Sequence, residues 1–374
     1  MKTSIKNYIS RISIVCICIL SVSCNPKPPQ NISSTPASQL IDRLEALKDE
    51  GILFGHQDDL AYGVNWIGED GRSDVKDVIG DYPALYGWDI GQIDSLKNLD
   101  NVPFNKIREY IISSHERQGV STISWHTFST EGRDSWDTSD KQTVKEILPN
   151  GKNHNDFNKK LDKVADFLLS LKDKNGHQIP VILRPWHEMN GEWFWWGMGN
   201  CTDDEYITLF RYTVDYLRTR KKVDNVIICF SPDRNFTNEK EYLQRYPGDD
   251  YVDILGIDNY YDFKEESRIQ LAQKKLNVVA TLAAKKKMLY AFSETGLETV
   301  RDYQWFSKTL LPVLEEANKI QPMSYVMVWR NANKKKEKKN HFFAPFRGHP
   351  SSEDFIEFSN NKLILTNKEI QVYN

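Results

Sequence analysis

Two glutamates in this 374-residue chain occupy positions suited to paired carboxyl chemistry. Glu188 sits in Arg184-Pro185-Trp186-His187-Glu188-Met189-Asn190, just after an apolar run. Glu294 sits in Ser293-Glu294-Thr295-Gly296, at the end of another. Such a pair divides labour when one group keeps its proton and the other is ionised, and an ionised neighbour raises the pKa of its partner. Around them the chain sets His126, His187, Arg184, Tyr260, Trp193, Trp329 and Arg330, all at or just beyond the ends of apolar runs. The chain carries ten Trp. A flat ring packs on the C–H face of a sugar as readily as in a core. Two carboxyls flanking a glycosidic bond split it either through a covalent intermediate, ~5–5.5 Å apart, or through an activated water, ~6.5–9.5 Å apart. The competing reading makes each Glu a salt-bridge partner of a neighbouring Arg such as Arg184.

The elements that must hold these groups follow from the apolar rhythm. Short runs, greasy on both faces, fall at 52–55, 84–88, 120–126, 181–184, 226–231, 252–257, 288–293 and 325–329. That pattern suits strands buried in a parallel sheet. Amphipathic stretches at 36–48, 155–172, 203–220, 267–287 and 302–319 read as helices between them. Eight strands alternating with helices predict an α/β fold, a closed (β/α)₈ TIM barrel. A doubly wound open sheet would carry a Gly-rich phosphate turn after its first strand, and none occurs. In such barrels chemistry collects at the C-terminal strand ends. Strands four and seven lie across the mouth from each other, so Glu188 and Glu294 can converge.

The 184–197 segment resembles the acid/base segment of glycoside hydrolase family 26, chiefly β-mannanases, and Ser293-Glu294-Thr295-Gly296 is similar to its nucleophile segment. The likeness extends to Phe54-Gly55-His56-Gln57, Gly87-Trp88-Asp89, Trp125-His126 and Val328-Trp329-Arg330-Asn331-Ala332, and weakly to 341–350. The resemblance implies Glu188 as general acid/base and Glu294 as nucleophile in a double displacement. It implies that Tyr260 donates to Glu294, and that His126, His187 and Arg184 line the subsite of the reacting mannose. Trp329 would floor that subsite, Trp193 would stack on the leaving-group side, and Arg330 would reach the next sugar on the non-reducing side. The substrate implied is β-mannan or manno-oligosaccharide. β-1,3-xylan, mixed-linkage β-glucan and mannan binding without catalysis stand as alternatives. Tyr261 beside Tyr260, Asp233, Glu192 and Glu298 are weaker candidates for the site. His56, His126 and His187 lack the short spacing of a metal set, so no metal and no cofactor is expected.

The front end reads as an address. Lys2, Lys6 and Arg11 precede an apolar run at 12–20, too short for a stable span, that ends in Leu20-Ser21-Val22-Ser23-Cys24. This predicts a signal peptide over 1–23, a lipid on Cys24, a Pro/Ser/Asn-rich tether over 24–38 and one catalytic domain over 39–374. The product would be an exported bacterial lipoprotein facing the periplasm or attached to the outer membrane, with the cell surface as an alternative, touching membrane only through the lipid, and a monomer. Net charge falls from −3 to −6 when residues 1–23 leave, which gives no electrostatic case for nucleic acid. Beyond Cys24 only Cys201 and Cys229 remain, so at most one bridge can form.

Overall fold

A computed structural model describes residues 34–371. The expected signal peptide and Cys24 lie outside the described residues. The eight apolar runs are strands: β1 Ile52–Gln57, β2 Leu85–Asp89, β3 Val120–Ser124, β4 Val181–Arg184, β5 Val226–Phe230, β6 Ile254–Asn259, β7 Leu289–Thr295 and β8 Tyr325–Val328. Each pairs in parallel with the next, and β8 returns to β1, which closes the barrel. Every residue of these strands is buried, as both-sided packing requires.

Alternation along each strand separates two cores. Val181 and Leu183 face the helices, while Ile182 joins Leu53, Leu85, Ile254, Leu289 and Tyr325 inside the barrel. Continuing the inward row, the last turn-in of β4 is Arg184, of β2 Asp89 and of β6 Asp258. The same period that buries the lower barrel therefore lines its upper mouth with charge. The first helix, α1 (Pro36–Leu47), is started by Thr35, whose side chain accepts from Ser38 N, with Pro36 in the first turn. Its Leu40, Leu44 and Leu47 join the inner cluster at the N-terminal strand ends and seal that end of the barrel. Residues 36–38, given by the sequence both to the tether and to the first helix, are the first turn of that helix.

The outer layer includes α2 (Phe104–Glu116), α3 (His154–Leu169), α4 (Asp203–Asp215), α5 (Ile269–Lys286) and α6 (Leu311–Asn318). Thr202 and Glu205 form a reciprocal capping box at the start of α4. The C-terminal stretch from 360, unread in the sequence, adds Ile364–Leu365 alongside the start of β1 and the short helix Asn367–Ile370. Cys201 and Cys229 are free thiols, so the one bridge the sequence allowed does not form. Among the described residues no helix is long and apolar enough to cross a membrane.

One irregularity matters for the site. Ile257 pairs with Phe292 but Asp258 pairs with Glu294, so Ser293 is an extra residue on β7. The β8 register slips at the same place, from Val326–Phe292 to Val328–Thr295. Strict alternation from Leu289 and Ala291 would turn Glu294 toward the helices. The bulge re-aims it into the barrel mouth.

Candidate active site

Glu188 leaves β4 through a turn in which Trp186 (φ 56°) and Glu188 (φ 53°) are both left-handed. Such backbone costs energy for residues with a Cβ and persists only where packing enforces it. Here Trp186 is fully buried against Trp125, Phe157, Trp195 and Trp196. Glu188 N donates to Ser231 O at 2.8 Å, which ties the turn to the end of β5. Asn190 adds a second tie: its side chain donates to Asp233 O at 2.8 Å and accepts from Asp233 N at 2.7 Å. Trp193 Nε1 donates to Glu188 Oε2 at 2.7 Å.

Glu294 is held from two sides. Tyr260 OH donates to its Oε2 at 2.8 Å, and Arg184 donates to its Oε1. Both donors fix the direction in which the carboxyl group points. Arg184 also donates to Asp258 Oδ2 at 2.7 Å and Ser231 Oγ at 2.9 Å. Asp258 is positioned in turn by Ser293 Oγ at 2.7 Å, the bulged residue. Gly256 makes room for this hydroxyl, since a Cβ there would come within 2.5 Å of Ser293 Oγ. One oxygen each of Glu188, Asp258 and Glu294 lie within 4.8 Å of one another. Three acids so close could hold a cation, and Arg184 supplies the positive charge to two of them.

The two glutamates meet different surroundings. Burial, then the negative charges of Asp233, Asp258 and Glu294, push the Glu188 carboxyl well above the usual range, against the smaller effect of the Trp193 hydrogen bond. Glu188 is therefore the group built to keep a proton.

A histidine pair forms the adjoining wall. His126 Nδ1 lies 2.7 Å from Asp89 Oδ2, and His126 Nε2 lies 3.1 Å from His187 Nε2. Burial lowers the basicity of His126, but Asp89 and Glu294 together outweigh it and the net shift is upward. His187, buried beside His126 and Arg184, is pushed well down. The two facing Nε2 atoms share one hydrogen bond, so one ring donates and the other accepts. Trp329 stands edge-on to His126 at 6.0 Å, and Trp136 stacks on it at 5.3 Å with a 21° interplanar angle.

The profile of Glycosyl hydrolase family 26 matches residues 29–291, which include Glu188 and stop three residues short of Glu294. The chain belongs to glycosyl hydrolase family 26. A mannan endo-1,4-β-mannosidase of Bifidobacterium adolescentis is 30% identical over 91% of this chain and 36% of its own length. A Bacillus subtilis mannan endo-1,4-β-mannosidase is 30% identical over 65% of this chain and 64% of its own. The chain thus spans between about a third and just under two thirds of these curated relatives. A solved β-mannanase of this family from Bacteroides ovatus superposes with a TM-score of 0.85 at 44% identity, over 89% of this chain and 95% of that one.

Within this family-26 barrel, the residues named from the sequence fall into two groups. Glu188, Glu294, Arg184, Tyr260, Trp193, His126, His187 and Trp329 gather at the mouth. Arg330, next to Trp329, is paired within the protein: its guanidinium makes paired contacts with Glu337 at 2.8 and 3.0 Å and reaches Asp100 at 3.2 Å, itself near Asp89 and His126. Tyr260, not Tyr261, faces the site; Tyr261 is exposed and lies under Arg234 and Arg268. Glu192 is exposed and Glu298 pairs with His341. Asp233 serves Asn190 through its backbone and Arg234 through its carboxylate. Sequence reasoning gave no role to Asp89, Ser231, Asp258, Ser293 or Asn190. Asp89 and Asp258 carried a usable signal, being the only acids on the inward rows of β2 and β6.

Proposed function

We propose that the chain is a retaining glycoside hydrolase of β-1,4-mannosidic bonds in mannan, glucomannan or galactomannan. The observation that carries this reading is the approach of Glu188 and Glu294, with an oxygen of each inside 4.8 Å. That approach favours the ~5–5.5 Å pair of a covalent intermediate over the ~6.5–9.5 Å gap that seats an attacking water. The mannanase names of the relatives support the choice of sugar.

In the first step Glu294 attacks the anomeric carbon. The glycosidic C–O bond breaks, its electron pair goes to the leaving oxygen, and that oxygen takes the proton of Glu188. In the second step Glu188, now a carboxylate, takes a proton from water as the water oxygen attacks the same carbon and releases Glu294. Arg184 and Tyr260 keep Glu294 oriented before attack, and Trp193 fixes the rotamer of Glu188. Proton NMR of the first anomer released from mannan tests the mechanism. The β-anomer is expected, and an initial α-anomer would rule out double displacement.

The same reading includes export with a lipid on Cys24 and a monomeric enzyme. A Cys24→Ser variant should move from the membrane to the soluble fraction of cells, and unchanged partition would overturn the anchor. A light-scattering mass of one chain is expected for the soluble domain, and a mass of two would overturn the monomer.

A further inference from the structure

Beside the cleft lies a second cavity of about 600 Å³, walled by the loops after β2 and β3 and floored by the first turns of α3. Its size falls within the range of small-ligand pockets. Both loops spring from the cleft wall itself. Gln92 comes three residues after Asp89 and Phe128 two residues after His126, so their Cα atoms lie within about 7–11 Å of the Asp89–His126 pair.

The lining suits a neutral, hydroxyl-rich ligand. Among the described residues Gln92 and Thr130 have no side-chain hydrogen-bond partner, and the Phe128 ring stacks on no other aromatic ring. Lys160 is only 7% exposed; its ammonium donates to Phe128 O at 3.0 Å and Asp94 at 2.7 Å, which leaves one N–H of three unused. Lys163 also binds Asp94, at 3.0 Å, and Lys159 binds Asp156 at 2.7 Å. The lysine charges are thus largely spent on carboxylates, which disfavours an anion as the ligand.

We propose that this cavity is a secondary subsite for a neutral hexosyl branch on the substrate chain. This rests on the reading of the cleft as a mannan site. A branch on the primary hydroxyl of a chain sugar would pass the Asp89–His126 wall and meet Phe128 with a face and Gln92, Thr130 and Lys160 with its hydroxyls.

Gln92→Trp and Thr130→Trp fill the cavity from opposite loops, and Phe128→Ala removes its apolar face. The measurement is kcat/KM on linear mannan and on galactose-branched mannan for the wild type and each variant, with melting temperature as a check of folding. The branched-to-linear ratio should fall about tenfold in at least one Trp variant and about threefold in Phe128→Ala, with the linear value held. Ratios within about twofold of wild type in every folded variant would overturn the subsite. A wild-type enzyme inert on linear mannan would instead sink the cleft reading, and the subsite with it.

Discussion

The guanidinium of Arg184 on β4 reaches across the barrel mouth to the carboxylate of Glu294 on β7, and the same group holds Asp258 on β6. One planar fork thus organises two buried carboxylates. Lysine keeps the charge but not the fork. Arg184→Lys should lower kcat/KM on mannan by about 100-fold while the barrel stays folded. Arg184→Met leaves buried carboxylates unpaired and should destabilise by about 3–5 kcal/mol, read by urea denaturation. Wild-type kinetics in Arg184→Lys would show that the fork is dispensable.

The pH profile should carry the signature of Glu188. The acid must be protonated to act, so activity is lost as pH rises through its elevated pKa. After burial, Asp233 is the next contribution to that elevation. Asp233→Asn should therefore move the alkaline limb of kcat/KM to lower pH, on the order of a few tenths to one unit. A limb that stays in place, or moves up, would separate it from Glu188.

Stability should depend on the same proton. The folded-state pKa of Glu188 lies above its unfolded value, so stability is full below the unfolded value and is lost as pH rises through the folded one. Glu188→Gln has no proton to lose. Its melting temperature should exceed that of the wild type at pH 8 and converge with it near pH 4, while activity on mannan falls about 10²–10⁴-fold. Parallel melting curves across pH would contradict this.

The Asn190 clamp predicts a split between substrates. Asn190→Ala frees the turn that carries Glu188. Cleavage of mannan should drop about tenfold, and cleavage of aryl mannosides with good leaving groups, which need little acid assistance, should drop less. An equal drop on both would assign Asn190 to general stability.

Trp136 is 48% exposed yet stacks on His126. Trp136→Ala should raise KM by up to about tenfold with kcat nearly unchanged, since an aromatic contact of this kind is worth about 0.5–1.5 kcal/mol. Isothermal titration with manno-oligosaccharide on the inactive Glu294→Ala background would check the same loss.

The barrel was legible because each strand is a closed apolar run, and each mouth residue stands where such a run turns polar. Glu188 and Glu294 were readable in that way. Their orientation was not. The Ser293 bulge has no compositional mark, because it arises from register with β6 and β8. The left-handed Trp186 and Glu188 are equally silent, since four aromatic neighbours distant in sequence or packed from the next loop enforce them. Asp89 and Asp258 were visible as strand-end acids, but their work lies in whom they touch. Arg330 shows the converse: its place beside Trp329 was plain, and its commitment to Glu337 and Asp100 was not.

The plug formed by Leu40, Leu44 and Leu47 gives the domain a front and a back. Its first helix lies on that sealed floor, and the reactive groups open on the opposite pole. A long polymer therefore meets the barrel from one pole alone.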